Sequence, residues 1–230
     1  MSSPFLYAGL TPPARLASLA AELADAAGAL AGYSASPAAI PFPTPPGAPA
    51  PALVPAIARF DACLDFTLLE EGGFANNPRD KGKATNMGIT IATLTRWRQR
   101  ADPSATVTVA DVRALTRAEA RQIYFAWYWN ANRCEAMPIP VDLTVFDFAV
   151  NSGGAIREIQ ERLGVQADGV VGHLTLTAMQ RFDPTDLAER ICDVRMEYLR
   201  SLESWADFQD GWTARVERVR AQARKLALAA

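Results

Sequence analysis

Between Ser36 and Pro51 the chain reads SPAAIPFPTPPGAPAP, with seven prolines set among alanine and glycine. Proline fixes φ and carries no backbone N–H, so neither a helix interior nor a central strand runs through such a stretch, which favours extended polyproline II. The chain is therefore divided here. Ahead of the prolines, residues 12–32 place Leu16, Leu19, Leu23 and Leu30 along one stripe of an Ala-rich helix. That helix is too small to fold alone. Behind them the pattern from Ala52 onward is mostly helical and long enough to bury a core. The expected organisation is a helical segment over 1–35, a linker over 36–54, a first region over 55–150, and a helical region over 151–230 packed on it. The N-terminal segment is expected either to dock on a partner or particle or to pack back on the body.

Charge and sulfur narrow the chemistry. A formal net charge of -2 over 230 residues is not that of a chain built mainly to bind nucleic acid. Cys63, Cys134 and Cys192 are far apart and form no CxxC pair, which reads as buried reduced thiols. His173 is the only histidine, so a multi-histidine metal site is excluded, and no metal or organic cofactor is expected. No run of 18 apolar residues occurs, and MSSPFLYAGLTPPAR lacks the cationic start and apolar core of a secretory signal. These features predict a protein made in the cytoplasm with neither a classical signal peptide nor an integral membrane segment.

The stretch DFTLLEEGGFANNPRDKGKATNMGITIATL carries the chemistry. Phe60, Leu64, Leu68 and Glu71 recur at helical spacing and share one face until Gly72-Gly73 stops the helix, while Glu70 points about 100° away. A carboxyl on the buried face at a helix C-terminus is pushed toward its neutral form, because burial and the negative end of the helix dipole both penalise the anion. A glutamic acid kept protonated near neutral pH is what general-acid cleavage of a glycosidic bond requires. Such cleavage normally employs a second carboxylate, and Asp80 is the candidate, in a short β-hairpin or loop able to fold back over the helix end. Thr85 is a candidate to hold a water. The same glycine pair also suits an ordinary solvated helix end.

Further helices are expected from Thr90 through Trp97, from the Thr116-x-x-Glu119 capping box through RQIYFAWYW, over Val141 to Asn151 and Ala155 to Leu163, and from Asp186 to Ala229. The DGVVGHLTLTAM string reads as a tight turn entering a helix, with His173 a satisfied surface or capping residue. Tyr124, Trp127, Tyr128 and Trp129 offer flat faces on which sugar rings can stack, and Asn86 and Asn151 offer donors and acceptors for N-acetyl groups. Burial in the core is the competing use of each aromatic. Asp147, one turn before Asn151, is placed to brace it.

With these residues in view, the segment resembles glycoside hydrolase family 108, a lysozyme-like family of peptidoglycan muramidases of bacteria and phages. The matching residues are Glu71, Gly72, Gly73, Phe74, Asn76, Pro78, Asp80, Gly82, Thr85, Asn86, Gly88, Ile89 and Thr90. Downstream, YFAWYWNANRCEAMPIPVDLTVFDFAVNSG is similar to the family's aromatic helix, Cys-x-x-(Leu/Met)-Pro turn and FD-x-x-VNSG helix. AIREIQERLGVQADGVVGHLTLTAM and the late FQDGWTARVERV resemble the peptidoglycan-binding region that follows. The likeness runs from about Ala56 to Ala221. It departs at Asn77, Arg79, Lys81 and Lys83, which leaves Asp80 as the loop's only acid.

The resemblance implies a mainly α, lysozyme-like fold and hydrolysis of the β-1,4 bond between N-acetylmuramic acid and N-acetylglucosamine in peptidoglycan glycan strands. Glu71 is implied as the acid, and wider analogy with phage-type lysozymes lends Asp80, with Thr85, the second role. Asn86, Tyr128, Trp129, Asp147 and Asn151 are the expected substrate-binding residues. Action is expected on the cell wall in the periplasm, or from a phage or injection particle. The alternative is a non-catalytic wall-binding or assembly protein on the same scaffold.

Overall fold

A computed structural model describes residues 56–76 and 84–229. The expected N-terminal helix, the proline-rich stretch and the loop holding Asp80 lie outside these residues. The described chain is mainly helical with one small antiparallel sheet, as the lysozyme-like reading requires.

Helix α1 (Ala56–Glu71) runs through the centre of the site. Phe60, Leu64, Thr67 and Glu71 are its fully buried line, whereas Leu68 is only half-buried. The stripe therefore follows a 4-3-4 spacing, with Thr67 taking the place expected of Leu68. Gly72, at φ +71, ends the helix in a left-handed conformation that a side chain would resist. The chain then enters β1 (Ala75–Asn76), which pairs antiparallel with β2 (Ala84–Asn86), which in turn pairs with β3 (Ile89–Thr90). Thr90 caps α2 (Ile91–Gln99) as expected, its hydroxyl accepting from the Thr93 N–H.

Helix α3 (Val109–Arg113) opens on a complete capping box between Thr108 and Asp111. At α4 (Arg117–Tyr124) the expected box is half made. Thr116 accepts from the Glu119 N–H, but the Glu119 carboxylate is drawn to Arg98, which donates to both its oxygens at 3.0 and 3.1 Å. The aromatic run does not continue as an α-helix. Phe125–Asn130 widens into a π-helical turn, and both Phe125 and Trp129 press on Phe60, with ring centroids 5.1 and 5.5 Å away. The extra residue in that turn accommodates bulky rings at successive positions around one core phenylalanine.

The remaining helices are α5 (Val141–Asn151), α6 (Ala155–Leu163), α7 (His173–Met179), α8 (Pro184–Ser201) and α9 (Trp205–Ala229). Helix α5 is buried along nearly its whole length and forms the axis of the core. Arg59 ties α1 to its start by bonding Asp142 and the Met137 carbonyl. The DGVV turn is closed by Gln160, whose side chain bonds Asp168, the Gly169 N–H, the Val170 carbonyl and Thr175. Helices α8 and α9 form an antiparallel pair that buries Cys192, Met196, Leu199, Phe208, Trp212, Val216 and Val219 between them. Its other face lies against α5 and carries two arginines into the core.

Candidate active site

The end of α1 places Glu71 at the centre of a buried ionic cluster. Its residue surface is 4% exposed. Arg215, from α9, brings Nη2 to 2.8 Å from Glu71 Oε1. The same guanidinium donates from Nε and Nη2 to Asp147 at 3.1 and 2.9 Å. Arg195 of α8 donates to Asp147 Oδ2 at 2.6 Å, and Thr67, one turn before Glu71, donates to Asp147 Oδ1 at 2.9 Å. Four helices thus converge on one carboxylate, Asp147, and through Arg215 on Glu71.

The charges in this cluster are settled by their neighbours. Burial works against the Asp147 anion, but the Arg215 and Arg195 guanidiniums outweigh it and hold Asp147 well below the usual carboxylate range. Burial likewise opposes the charge on Arg215, and Asp147 with Glu71 reverses that effect, so Arg215 stays protonated. The contact between Arg215 and Glu71 is close in distance yet poorly aligned as a hydrogen bond, since Oε1 has no partner of good geometry. Arg215 Nη2 is already committed to Asp147 Oδ1. Glu71 therefore meets the same guanidinium that Asp147 holds in place.

The other carboxylate oxygen of Glu71 faces the turn between β2 and β3. A Cβ built on Gly88 would lie 2.8 Å from Glu71 Oε2 and 2.5 Å from the Tyr124 hydroxyl, and Gly88 has φ +72. Glycine is required there twice over, for the backbone conformation and for the approach of the acid. Tyr124 donates to the Met87 carbonyl at 2.9 Å and so fixes that turn over the end of α1. Glu70 has a different environment. It forms a two-pronged ion pair with Arg218 at 2.7 and 2.5 Å on the protein surface, one turn along α9 from Arg215.

The other expected site residues separate into groups. Asp80 lies outside the described residues. Thr85 is buried in β2, paired with Ala75 and Thr90, one residue before Asn86 and close in sequence to the Gly88 turn. The Asn86 amide donates to the Val112 and Arg113 carbonyls at 3.0 and 3.3 Å, which commits its nitrogen to holding α3 on the sheet. Tyr128 is half-buried, with its ring 5.5 Å from that of Tyr124. Trp129 is 1% exposed between Phe60 and Phe146, in the core rather than on a groove wall. Asn151 is half-buried and its amide donates to the backbone carbonyl of Asp147 at 2.9 Å, so Asp147 holds Asn151 through its backbone while its side chain serves the arginines.

Arg215 and Arg195 were not anticipated from the sequence as site residues, although a signal was present. Arg215 lies on the apolar stripe of α9 formed by Trp212, Val216 and Val219. Asp147 similarly interrupts an otherwise apolar helix. A charge on an apolar stripe requires an opposite charge across the core.

Two family models match the chain. Glycosyl hydrolase 108 matches residues 64–153, and the model described as Predicted Peptidoglycan domain matches residues 154–217. Among solved structures, the one titled "Structure of Brucella abortus SagA" is 38% identical with a TM-score of 0.65, and the match covers 73% of this chain and 94% of that one. No curated protein matches the chain. Glu71 and Asp147 fall within the first family match, and Arg195 and Arg215 within the second.

Proposed function

Because the chain belongs to the glycosyl hydrolase 108 family, we propose that it is an N-acetylmuramidase that cleaves the β-1,4 bond between N-acetylmuramic acid and N-acetylglucosamine. The observation that carries this reading is the placement of Glu71. Of two adjacent glutamates, only this one is buried at the helix end, against a glycine turn and a fixed cation, while Glu70 is engaged by Arg218.

In the proposed reaction the Glu71 carboxyl gives its proton to the glycosidic oxygen as the bond from that oxygen to C1 breaks. The bonding pair leaves with the oxygen, and the sugar passes through an oxocarbenium-like state. A water oxygen then bonds to C1 and its surplus proton is released, which restores the balance of the hydrolysis. Asp80, with Thr85, is assigned the stabilisation of that state or the orientation of the water. Tyr128, half-buried with its ring 5.5 Å from that of Tyr124, is assigned the stacking contact with a sugar.

A second reading is a wall-binding protein without turnover. It draws on the enclosure of Glu71 and its ion contact with Arg215, which a purely structural cluster would also show. Incubation with purified peptidoglycan separates the two. The muramidase reading expects soluble fragments whose new reducing ends are N-acetylmuramic acid, identified by borohydride reduction and mass spectrometry. Glu71→Gln should lower the rate by ~100-fold or more and leave wall binding intact, and Glu70→Gln should stay near wild type. Wall binding with no new reducing ends from the wild-type protein would leave the second reading standing.

A further inference from the structure

We propose that Arg215 is a positioning residue for Glu71, so that the segment matching the peptidoglycan domain completes the active site and is not only a wall-attachment module. The inference rests on the muramidase reading and deepens it. Its basis is the route by which Glu71 is held. Among the described residues, the cation at Glu71 comes from α9, inside the 154–217 match, and not from the 64–153 match that contains the acid.

Arg215 could not hold this position by itself. A long side chain carried into a core is fixed only if its donors are taken up, and Asp147 takes two of them, Nε and Nη2. Asp147 is in turn fixed by Arg195 and Thr67. The last of these belongs to α1, so the helix that presents Glu71 also binds the carboxylate that holds Arg215. The result is a closed loop of contacts, from Glu71 to Arg215, to Asp147, to Thr67 and one helical turn back to Glu71.

The geometry fixes where the carboxyl lies. A guanidinium cannot accept a proton, so Arg215 confines the Glu71 carboxyl without competing for what it must deliver. The Glu71 carboxyl sits between this guanidinium, 2.8 Å from Oε1, and the Gly88 turn that faces Oε2. A carboxyl displaced by about 1 Å from such a position loses roughly 100-fold in rate.

The test uses the full chain and purified peptidoglycan, with Arg215→Lys and Arg215→Ala as variants and Arg218→Ala as control. Arg218 lies on the same helix and also pairs with a glutamate, but on the surface. Positioning predicts that kcat falls by roughly 100-fold in Arg215→Ala, with KM and wall pull-down within about twofold. Arg215→Lys should recover part of the loss, since an ammonium restores the charge but cannot span Asp147 and Glu71 as a planar fork. Arg218→Ala should retain its rate.

A double-mutant cycle guards against a variant that merely unfolds. If Arg215 acts through Glu71, Arg215→Lys should cost the wild type much more than it costs the Glu71→Gln protein, whose residual rate no longer depends on a placed acid. Equal losses in the two backgrounds would overturn the inference, as would a folded Arg215→Ala protein with wild-type kcat. A wild-type protein that makes no new reducing ends would instead overturn the muramidase reading on which the inference depends.

Discussion

Asp147 shows how much of a core one carboxylate can organise. Its carboxylate is 0% exposed and pairs with two buried arginines, Arg195 and Arg215. Asp147→Asn keeps the shape but leaves that positive charge uncompensated, a loss of about 3–5 kcal/mol. Its pH dependence has a definite sign. The folded-state pKa is held below the unfolded value of about 3.9, so the stabilisation is fully present above that value, declines below it and is lost as pH falls through the folded-state pKa. Thermal melts should therefore show the gap between wild type and Asp147→Asn at its widest near pH 7 and narrowing below about pH 4. Asp142 works in the opposite direction, because burial raises its carboxyl against the pull of Arg59, and the variant comparison removes its contribution. A gap that stays constant down to pH 3 would contradict the ionic account. The thiols supply a second residue-scale prediction. Burial pushes Cys192 up to about 12 and raises Cys63 and Cys134 well above the usual thiol range, so native protein at pH 8 should resist a thiol reagent that labels all three after unfolding.

At the scale of elements, the turn between β2 and β3 matters more than its length suggests. Gly88 combines a left-handed backbone with contact to both Glu71 and Tyr124. Gly88→Ala should cost about 1–2 kcal/mol from the backbone alone. It should also cost rate, because the new methyl meets the Glu71 carboxyl before it meets solvent. A variant that loses stability but retains full kcat would show that Oε2 tolerates displacement. Such local determinants were partly legible in the sequence. The bounds of α5 and α6 follow from Pro140 before one and left-handed Gly164 after the other. The π-helical turn was not, because Phe125 and Trp129 have the same spacing that an α-helix would give them and only their crowding on Phe60 distinguishes the two. The position of Asn86 was also hidden, since a polar residue in a strand does not reveal which carbonyls lie across from it.

At the scale of the molecule, family membership and its two matched segments make this a lysozyme-like, peptidoglycan-related protein, and no helix among the described residues is long and apolar enough to cross a membrane. The likeness to the family and the burial of Glu71 rather than Glu70 were legible because they depend on local spacing. The cluster around Asp147 was not, because its partners lie 48, 68 and 80 positions away in the sequence. Those long-range contacts bear on how the body unfolds. Residues 64–153 and 154–217 are joined by the Asp147 pairs with Arg195 and Arg215 and by the ring contact of Phe148 with Tyr198 at 5.8 Å, and the Glu70 pair with Arg218 ties the first segment to the next turn of α9. If α8 and α9 released α5, the pairs of Asp147 with Arg195 and Arg215 would break and the apolar face of α5 would be exposed. That penalty couples the two segments, so calorimetry on the full chain should give one transition for this body, with calorimetric and van't Hoff enthalpies in agreement. Arg215→Ala weakens only one of the connections and should lower the melting temperature while keeping the transition single. Two resolved transitions in the wild-type protein would mean that the segments fold independently and that Arg215 reaches Glu71 across an interface able to open.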